Sequence, residues 1–261
     1  MEQESGSGAD HVAMRWNGWG DPRKAKELPR AVRTLLPLLL GRIRRPEEPV
    51  SLDAVRIDDS ALTAEDLDAF RSVVGAEHVD ESAEARIRHA GGRSTPDLLR
   101  RRAREQRVPD AVVRPAAHDE VRACLEVAGE RGVAVIPFGG GTSVVGALDP
   151  DRGTHHGVVT LDLRRLTGLV RLDELSGEAV LAAGTTGPEA ESLLSAHGLE
   201  LGHFPQSFRY ATIGGFAAAR SSGQNSAGNG RFETMVTGIR VATPTGTSNS
   251  GAHPARRRGP T

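Results

Sequence analysis

The residues best suited to chemistry are three consecutive glycines and two hydroxyl side chains at positions 139–143. Consecutive glycines can turn backbone N–H groups toward one point, which makes a binding site for an anion such as a pyrophosphate. The hydroxyls of Thr142 and Ser143 can add donors. The spacing differs from Gly-x-Gly-x-x-Gly because Val144 replaces the third glycine, and no P-loop lysine follows. Taken alone, the loop also fits a flexible turn.

Other reactive residue types are interpreted mainly as structural. His155 and His156 lie in a polar loop without a third ligand at suitable spacing, so no metal site is predicted. Cys124 lies between apolar residues of a predicted helix and is interpreted as core. For His203, both a ligand contact and a structural hydrogen bond stay open. No Ser-His-Asp arrangement is predicted.

The glycine loop needs a strand before it and a sheet around it. The apolar pattern predicts extended chain at 111–113, a helix at 119–130 and a strand at 133–136, directly before the loop. Further strands are predicted at 158–161 and 179–182. A helix is predicted to open at 186–189 and to stop at Gly198. The predicted fold class is therefore α+β.

Residues before about Asp110 are predicted to be mainly helical, because no strand alternation persists there. Thr95 is expected to cap a helix that leads into an arginine-rich segment at 98–104. Those arginines are expected to form a solvated face that does not bind nucleic acid. The apolar run at 35–40 is too short to span a membrane and is interpreted as a buried or interfacial helix.

The composition predicts a folded protein without a strong net electrostatic field. The chain has 33 basic and 34 acidic side chains, and 38% of its residues are hydrophobic. A net charge of −1 gives no general attraction to nucleic acid or an anionic membrane. The single cysteine excludes an internal disulfide and suggests a reducing compartment, so a cytoplasmic location is expected. The first residues show no secretory signal pattern.

Several segments, in order, resemble the flavin domain of the vanillyl-alcohol oxidase and p-cresol methylhydroxylase superfamily. These segments lie at 109–115, 118–121, 136–143, 202–207, 211–216 and 220–223. In that superfamily the glycine-rich loop holds the FAD pyrophosphate. The resemblance implies FAD as cofactor and an incomplete p-cresol methylhydroxylase-type FAD-binding domain at 105–247, after a mainly helical region at 1–104.

The resemblance also implies which residues bind FAD. The loop would meet the pyrophosphate, a second segment would line the isoalloxazine ring, and a third would lie nearby. The residues at these positions are Pro137, Phe138, Gly139, Gly140, Gly141, Thr142, Ser143, Gln206, Ser207, Phe208, Arg209, Tyr210, Ala211, Thr212, Ala219, Arg220, Ser221 and Ser222. Gln206 stands where eukaryotic members often have an acidic residue, which leaves substrate preference open.

Residues 14–21 read Met-Arg-Trp-Asn-Gly-Trp-Gly-Asp and resemble the opening motif of one branch, the alkyl-dihydroxyacetonephosphate synthases. Both tryptophans of the chain lie here, and packing anchors and direct ligand contact stay open. The resemblance, from about 14 to 246, implies exchange of the acyl chain of acyl-dihydroxyacetonephosphate for a fatty alcohol in ether lipid synthesis. The alternatives are an FAD-linked oxidoreductase of 2-hydroxy acids and a catalytically silent flavin-binding fragment.

Residues 248–261 are predicted to be an aberrant polar tail without strand or helix. The resemblance implies that the catalytic residues of the branch lie beyond Thr261, so the catalytic half is expected to be missing. A shifted reading frame is our hypothesis for this end. The expected partner is a small lipid phosphate, with no nucleic acid and no transmembrane segment. Peripheral membrane contact and homodimer formation are left open.

Overall fold

A computed structural model describes residues 13–26, 28–41 and 50–250. The N-terminal region is mainly helical, as predicted. A short strand, β1 (Val79–Asp80), lies between its helices and joins the main sheet. The helices of this region are α1 (Arg30–Leu40), α2 (Ala64–Val74), α3 (Ala83–Arg88) and α4 (Thr95–Arg100).

The structure corrects the prediction for the start of α4. Ser94, not Thr95, caps the helix. The Ser94 hydroxyl accepts a hydrogen bond from the N–H of Asp97 at 3.2 Å, and the Asp97 carboxylate accepts one from the N–H of Ser94 at 3.0 Å. This reciprocal capping box satisfies two donors at the helix start, which fixes the boundary one residue earlier than predicted.

The prediction of a solvated arginine face after α4 is wrong for Arg101. The helix ends at Arg100, and Arg101 is only 2% exposed. Its guanidinium donates to backbone carbonyl oxygens, including that of Ala90 at 2.6 Å and that of Gly91 at 3.0 Å. These carbonyl groups replace water around the buried cation.

The apolar run at 35–40 lies in α1, and none of the residues of this helix is buried. Leu38, Leu39 and Leu40 are 70–78% exposed. The prediction of a buried helix is therefore wrong, and the interfacial interpretation stays open. None of the helices in the described part of the chain has the length and apolar character needed to cross a membrane.

The main sheet has four strands in the order β1-β2-β4-β3. Three of its strands are parallel: β2 (Ala111–Val113), β3 (Val133–Phe138) and β4 (Gly157–Asp162). β4 lies between the other two and pairs with both. β4 is buried along its whole length, as expected for a central parallel strand. Phe138 pairs with Asp162, so the glycine loop begins at the edge where β4 also ends.

Helix α5 (His118–Arg131) connects β2 to β3, as predicted, and it also packs against α2. The core between these elements contains Phe70, Cys124, Ala128 and Val159. Burial of Phe70, which is 0% exposed, contributes roughly 1.5–3 kcal/mol. Burial raises the pKa of Cys124 to about 12, so its thiol stays protonated and unreactive, as expected for a core residue.

The second half of the chain is a set of hairpins and short helices. Helix α6 follows a capping box formed by Thr186 and Glu189, close to its predicted start, and ends two residues before His197. The elements are β5 (Leu169–Asp173), β6 (Glu178–Leu181), α6 (Gly187–Ser195), α7 (Ile213–Ala218), α8 (Ser226–Asn229), β7 (Ile239–Thr243) and β8 (Gly246–Ser250).

Strand β8 continues into the segment that was predicted to lack strand structure. Its residues pair with β7, for example Ser248 with Val241 and Ser250 with Ile239. Backbone pairing with an apolar neighbour, rather than the polar sequence of β8 itself, makes this strand. The rest of the predicted tail, residues 251–261, lies outside the described residues.

Candidate functional site

The glycine loop lies at the carboxyl end of β3 and is closed on one side by residues 210–212. A Cβ atom on Gly139 would lie 2.4 Å from Oγ1 of Thr212, and one on Gly140 would lie 1.8 Å from the carbonyl oxygen of Tyr210. Only glycine at these two positions permits the side chain of Thr212 and the backbone of Tyr210 to approach so closely. The structure therefore brings together the first two segments predicted to bind the cofactor.

The backbone donors of this loop are free. Within the described residues, no hydrogen bond uses the N–H of Gly140, Gly141, Thr142 or Ser143. Gly141 has φ 67°, a left-handed conformation that glycine adopts without strain. Free donors in a partly buried loop at the end of parallel strands form a suitable site for an anion with several oxygens.

Phe138 lies beneath the loop rather than at its surface. Its side chain is 5% exposed and packs against the ring of His89, with 4.5 Å between ring centroids. A Cβ atom on Gly141 would lie 2.6 Å from Cζ of Phe138. The side chain of Phe138 thus supports the loop from below, while neighbouring Pro137 is exposed.

The second predicted segment is a turn that leads into α7. Tyr210 and Ala211 each donate a backbone hydrogen bond to the carbonyl of Ser207 at 2.9 Å. Thr212 caps α7, because its hydroxyl accepts a hydrogen bond from the N–H of Gly215 at 3.2 Å. Gln206 and Arg209 are exposed, and Phe208 is partly buried. The Thr212 side chain therefore caps α7 and also lies against Gly139 of the glycine loop.

The third predicted segment, residues 219–222, terminates α7. Arg220 adopts φ 49°, an uncommon left-handed conformation for a non-glycine residue, and Ser221 donates its N–H to the carbonyl of Phe216 at 2.9 Å. Ala219 and Ser222 are exposed. This segment is connected to the loop through α7 and Thr212; in the described residues no hydrogen bond joins it directly to the loop.

His203 lies behind the third segment and has structural partners. It is 1% exposed, its Nε2 is 3.0 Å from the hydroxyl of Ser221, and its ring packs against Phe216 and Phe232. Burial lowers the pKa of His203 below its ordinary value, so the neutral ring is favoured. These contacts favour the structural interpretation of His203, which holds the Ser221 hydroxyl in place.

A buried charge network at the end of β4 was missed in the sequence. The Asp162 carboxylate is 3.1 Å from Nε2 of His89 and accepts a hydrogen bond from Nε of Arg164 at 2.8 Å. Burial alone would raise the pKa of Asp162, but the hydrogen bonds from Arg164 and His89 outweigh it and hold that pKa well below its usual range. Because His89 and Arg164 both pack on Phe138, the network supports the base of the loop.

The N-terminal motif, residues 14–21, lies close to the same loop. Trp16 and Arg93 line a cavity of about 80 Å³ whose wall also includes Gly140, Arg164 and Tyr210. The indole N–H of Trp19 donates to the carbonyl of Arg93 at 3.2 Å. The motif thus packs beside the glycine loop, and arginine side chains surround the space between them.

The other candidates have structural partners. His156 is 2.9 Å from the carboxylate of Asp66, and the ring of His155 is 3.0 Å from the carbonyl of Arg152. Among the described residues, no group of three His, Cys, Asp or Glu side chains is arranged to hold a metal ion.

Comparison with known proteins agrees with this geometry. A family model described as an FAD binding domain matches residues 109–249. An alkyldihydroxyacetonephosphate synthase of Trypanosoma brucei brucei is 33% identical over 256 residues, which cover 89% of this chain and 42% of the relative. A solved alkyldihydroxyacetonephosphate synthase superposes with a TM-score of 0.83 at 30% identity, over 92% of this chain and 50% of that one.

A likeness in fold extends to p-cresol methylhydroxylase, with a TM-score of 0.58 at 16% identity over 72% of this chain and 35% of that one. The chain belongs to the FAD-binding domain family, with the α+β fold of the p-cresol methylhydroxylase type. Within that superfamily its branch is that of the alkyldihydroxyacetonephosphate synthases. The chain spans about half the length of these relatives or less.

Proposed function

We propose that this chain is the FAD-binding part of an enzyme that exchanges the acyl chain of acyl-dihydroxyacetonephosphate for a fatty alcohol. The observation that most supports the proposal is the group of free N–H donors at residues 140–143, closed against Tyr210. The pyrophosphate of FAD has the oxygens and the charge that such a group of donors binds. Similarity to the synthases over most of this chain supports the reaction class.

The residues of this chain have distinct roles in the proposal. The loop binds the pyrophosphate, residues 206–212 line the isoalloxazine side, and residues 219–222 lie nearby. Bound FAD supplies the reactive ring, while the protein holds it, orients it and excludes water. The proposed cofactor-binding residues are Pro137, Phe138, Gly139, Gly140, Gly141, Thr142, Ser143, Gln206, Ser207, Phe208, Arg209, Tyr210, Ala211, Thr212, Ala219, Arg220, Ser221 and Ser222.

The test is purification of the full chain followed by titration with FAD and assay of turnover. We expect a yellow protein with a flavin spectrum. Ether formation from acyl-dihydroxyacetonephosphate and a long-chain alcohol supports the proposed reaction, whereas oxidation of 2-hydroxy acids favours the alternative class. Flavin binding without either turnover identifies a flavin-binding fragment. A folded, colourless protein that ignores added FAD contradicts the proposal as a whole.

We also propose that α1 lies on an anionic membrane surface. Leu35, Leu38, Leu39 and Leu40 are exposed to solvent, and Arg30 lies on the side of the helix opposite Leu39. Basic residues far outnumber the single acidic residue, Glu27, between Arg23 and Arg45. An apolar helix face flanked by cations complements a bilayer that contains acidic lipids. The protein is proposed to reach this surface from the cytoplasm, for which the single cysteine is the support.

A further inference from the structure

We propose that Arg93 is a positioning residue that couples the N-terminal motif to the glycine loop. Binding of a phosphate-bearing ligand at the loop and docking of the motif would then strengthen each other. This inference deepens the flavin site proposed above and rests on it. It assigns the motif a role that differs from direct contact with the ligand.

The backbone of Arg93 connects the two partners. Its N–H donates to the carbonyl of Ser143, the last residue of the loop, at 2.7 Å. Its carbonyl oxygen accepts the hydrogen bond from the indole of Trp19 at 3.2 Å. One residue therefore stands between the loop and the motif, and a displacement of either partner changes a hydrogen bond to the other.

The side chain of Arg93 holds the beginning of the motif. Its Nε lies 3.2 Å from the sulfur of Met14, and its Nη2 donates to the carbonyl of Arg15 at 3.2 Å. The planar guanidinium keeps these donors in a fixed geometry. Backbone and side chain of Arg93 thus bind opposite ends of the motif.

The contact with the loop has no free space. A Cβ atom on Gly92 would lie 2.1 Å from the carbonyl oxygen of Ser143. The backbone at Gly92 is therefore pressed directly against the loop. A second buried arginine, Arg101, fastens the same region by donating to the carbonyls of Trp16 and Ala90, each at 2.6 Å. The motif is held at two points, and the loop takes its position from the same backbone.

The positive charge of Arg93 explains why a phosphate-bearing ligand would strengthen the docking of the motif. Arg93 is 6% exposed, and in the described ranges no carboxylate forms a direct ion pair with it, although Asp97 attracts it through space. Burial lowers the pKa of Arg93 to about 10, so the guanidinium is still charged near neutral pH. A buried cation without a directly paired counter-ion is costly. Arg93 and Gly140 line the same small cavity, so a phosphate at the loop would reduce this cost.

The coupling between ligand binding and motif docking is reciprocal. A ligand that favours the docked motif must bind more tightly when the motif is docked. The chain carries its own reporter, since both of its tryptophans, Trp16 and Trp19, lie in the motif. The probe is ADP, which has the pyrophosphate of FAD but does not absorb tryptophan emission. We expect ADP to change the tryptophan emission of the full chain and to slow tryptic cleavage after Arg15.

Arg93→Met is expected to remove the emission change and to raise the Kd for ADP about tenfold. Trp19→Phe is a milder variant that keeps the aromatic ring, removes the N–H donor and leaves Trp16 as reporter; we expect a smaller rise in Kd. The matched control is Arg86→Met. Arg86 is 7% exposed and donates to the carbonyls of Pro109 and Asp58, and among the described residues it forms no hydrogen bond with the motif or the loop.

The control separates positioning from general stability. We expect Arg86→Met to lower the melting temperature as Arg93→Met does, yet to keep the Kd and the emission change of the unmodified chain. An equal loss of affinity in both variants overturns the inference, as does ADP or FAD binding that leaves tryptophan emission and tryptic cleavage unchanged. If the unmodified chain binds neither ADP nor FAD, the flavin site itself is wrong and the coupling falls with it.

Discussion

The carbonyl oxygen of Tyr210 lies where a side chain on Gly140 would have to begin, 1.8 Å from the position of its Cβ atom. The free donors of the glycine loop and the turn before α7 therefore form one unit. This relationship explains why a glycine-rich loop that is ambiguous in isolation becomes a rigid binding site in the folded chain.

Gly140→Ala is expected to destabilise the protein by about 1–3 kcal/mol, because the methyl group forces the two backbones apart. FAD affinity should fall more than stability does, since the displaced groups are the donors themselves. The measurement is urea unfolding together with FAD titration.

The control is Gly129→Ala in α5, where a Cβ atom meets nothing within 4 Å. That change should stabilise the helix by about 0.5–1 kcal/mol and leave FAD binding intact. Equal effects of the two changes on FAD binding contradict this account of the loop.

Asp162→Asn is expected to cost roughly 3–5 kcal/mol, because it removes the buried carboxylate that pairs with Arg164 and forms a hydrogen bond with His89. Asp68→Asn in α2 is the control, since its carboxylate is 71% exposed and should contribute little. Free energies of unfolding at neutral pH provide the comparison. Similar values for the two variants count against a structural network under the loop.

The same carboxylate predicts a pH dependence. Folding holds the pKa of Asp162 below its unfolded value, so its stabilisation is present above the unfolded pKa of about 4. That stabilisation is lost as the pH falls toward the depressed folded value. Between about pH 5 and pH 3, the unmodified chain should lose stability more steeply than Asp162→Asn. If the unmodified chain and Asp162→Asn give parallel curves of unfolding free energy against pH, the ionised carboxylate of Asp162 does not stabilise the fold.

The membrane proposal for α1 predicts sedimentation of the full chain with vesicles that contain phosphatidylserine, and not with vesicles of phosphatidylcholine alone. Added salt should weaken this binding. Leu38→Ser combined with Leu39→Ser should abolish it, whereas Leu175→Ser, at a position that is 95% exposed outside α1, should not. Failure to bind acidic vesicles, or a dimer in solution that the same two leucine changes dissociate, sets the membrane proposal aside.

The sheet around the loop was predictable because its strands carry short, nearly continuous apolar runs. β2 and β4 are buried along their whole length, and such strands stand out from the polar segments that flank them. The helix between β2 and β3 was predictable from its length and acidic start. The glycine loop then follows from its position directly after β3.

The parts that sequence reasoning missed depend on contacts between distant residues. Asp162 and His89 are separated by 73 positions, and only the folded sheet places them together. A signal was present, since Asp162 directly follows the predicted strand at 158–161 and precedes Arg164 by two positions. Arg101 gave no such signal, because its burial depends on carbonyl groups of the N-terminal motif and of residues 87–91.

The central claim is that the backbone donors of residues 140–143 hold the pyrophosphate of FAD. The most direct measurement is a titration of isotope-labelled protein with FAD, followed through the amide resonances of Gly140, Gly141, Thr142 and Ser143. We predict that these resonances shift together and saturate with the flavin spectrum, and that ADP reproduces most of the shifts. FAD binding that leaves all of these amides unmoved would contradict the claim.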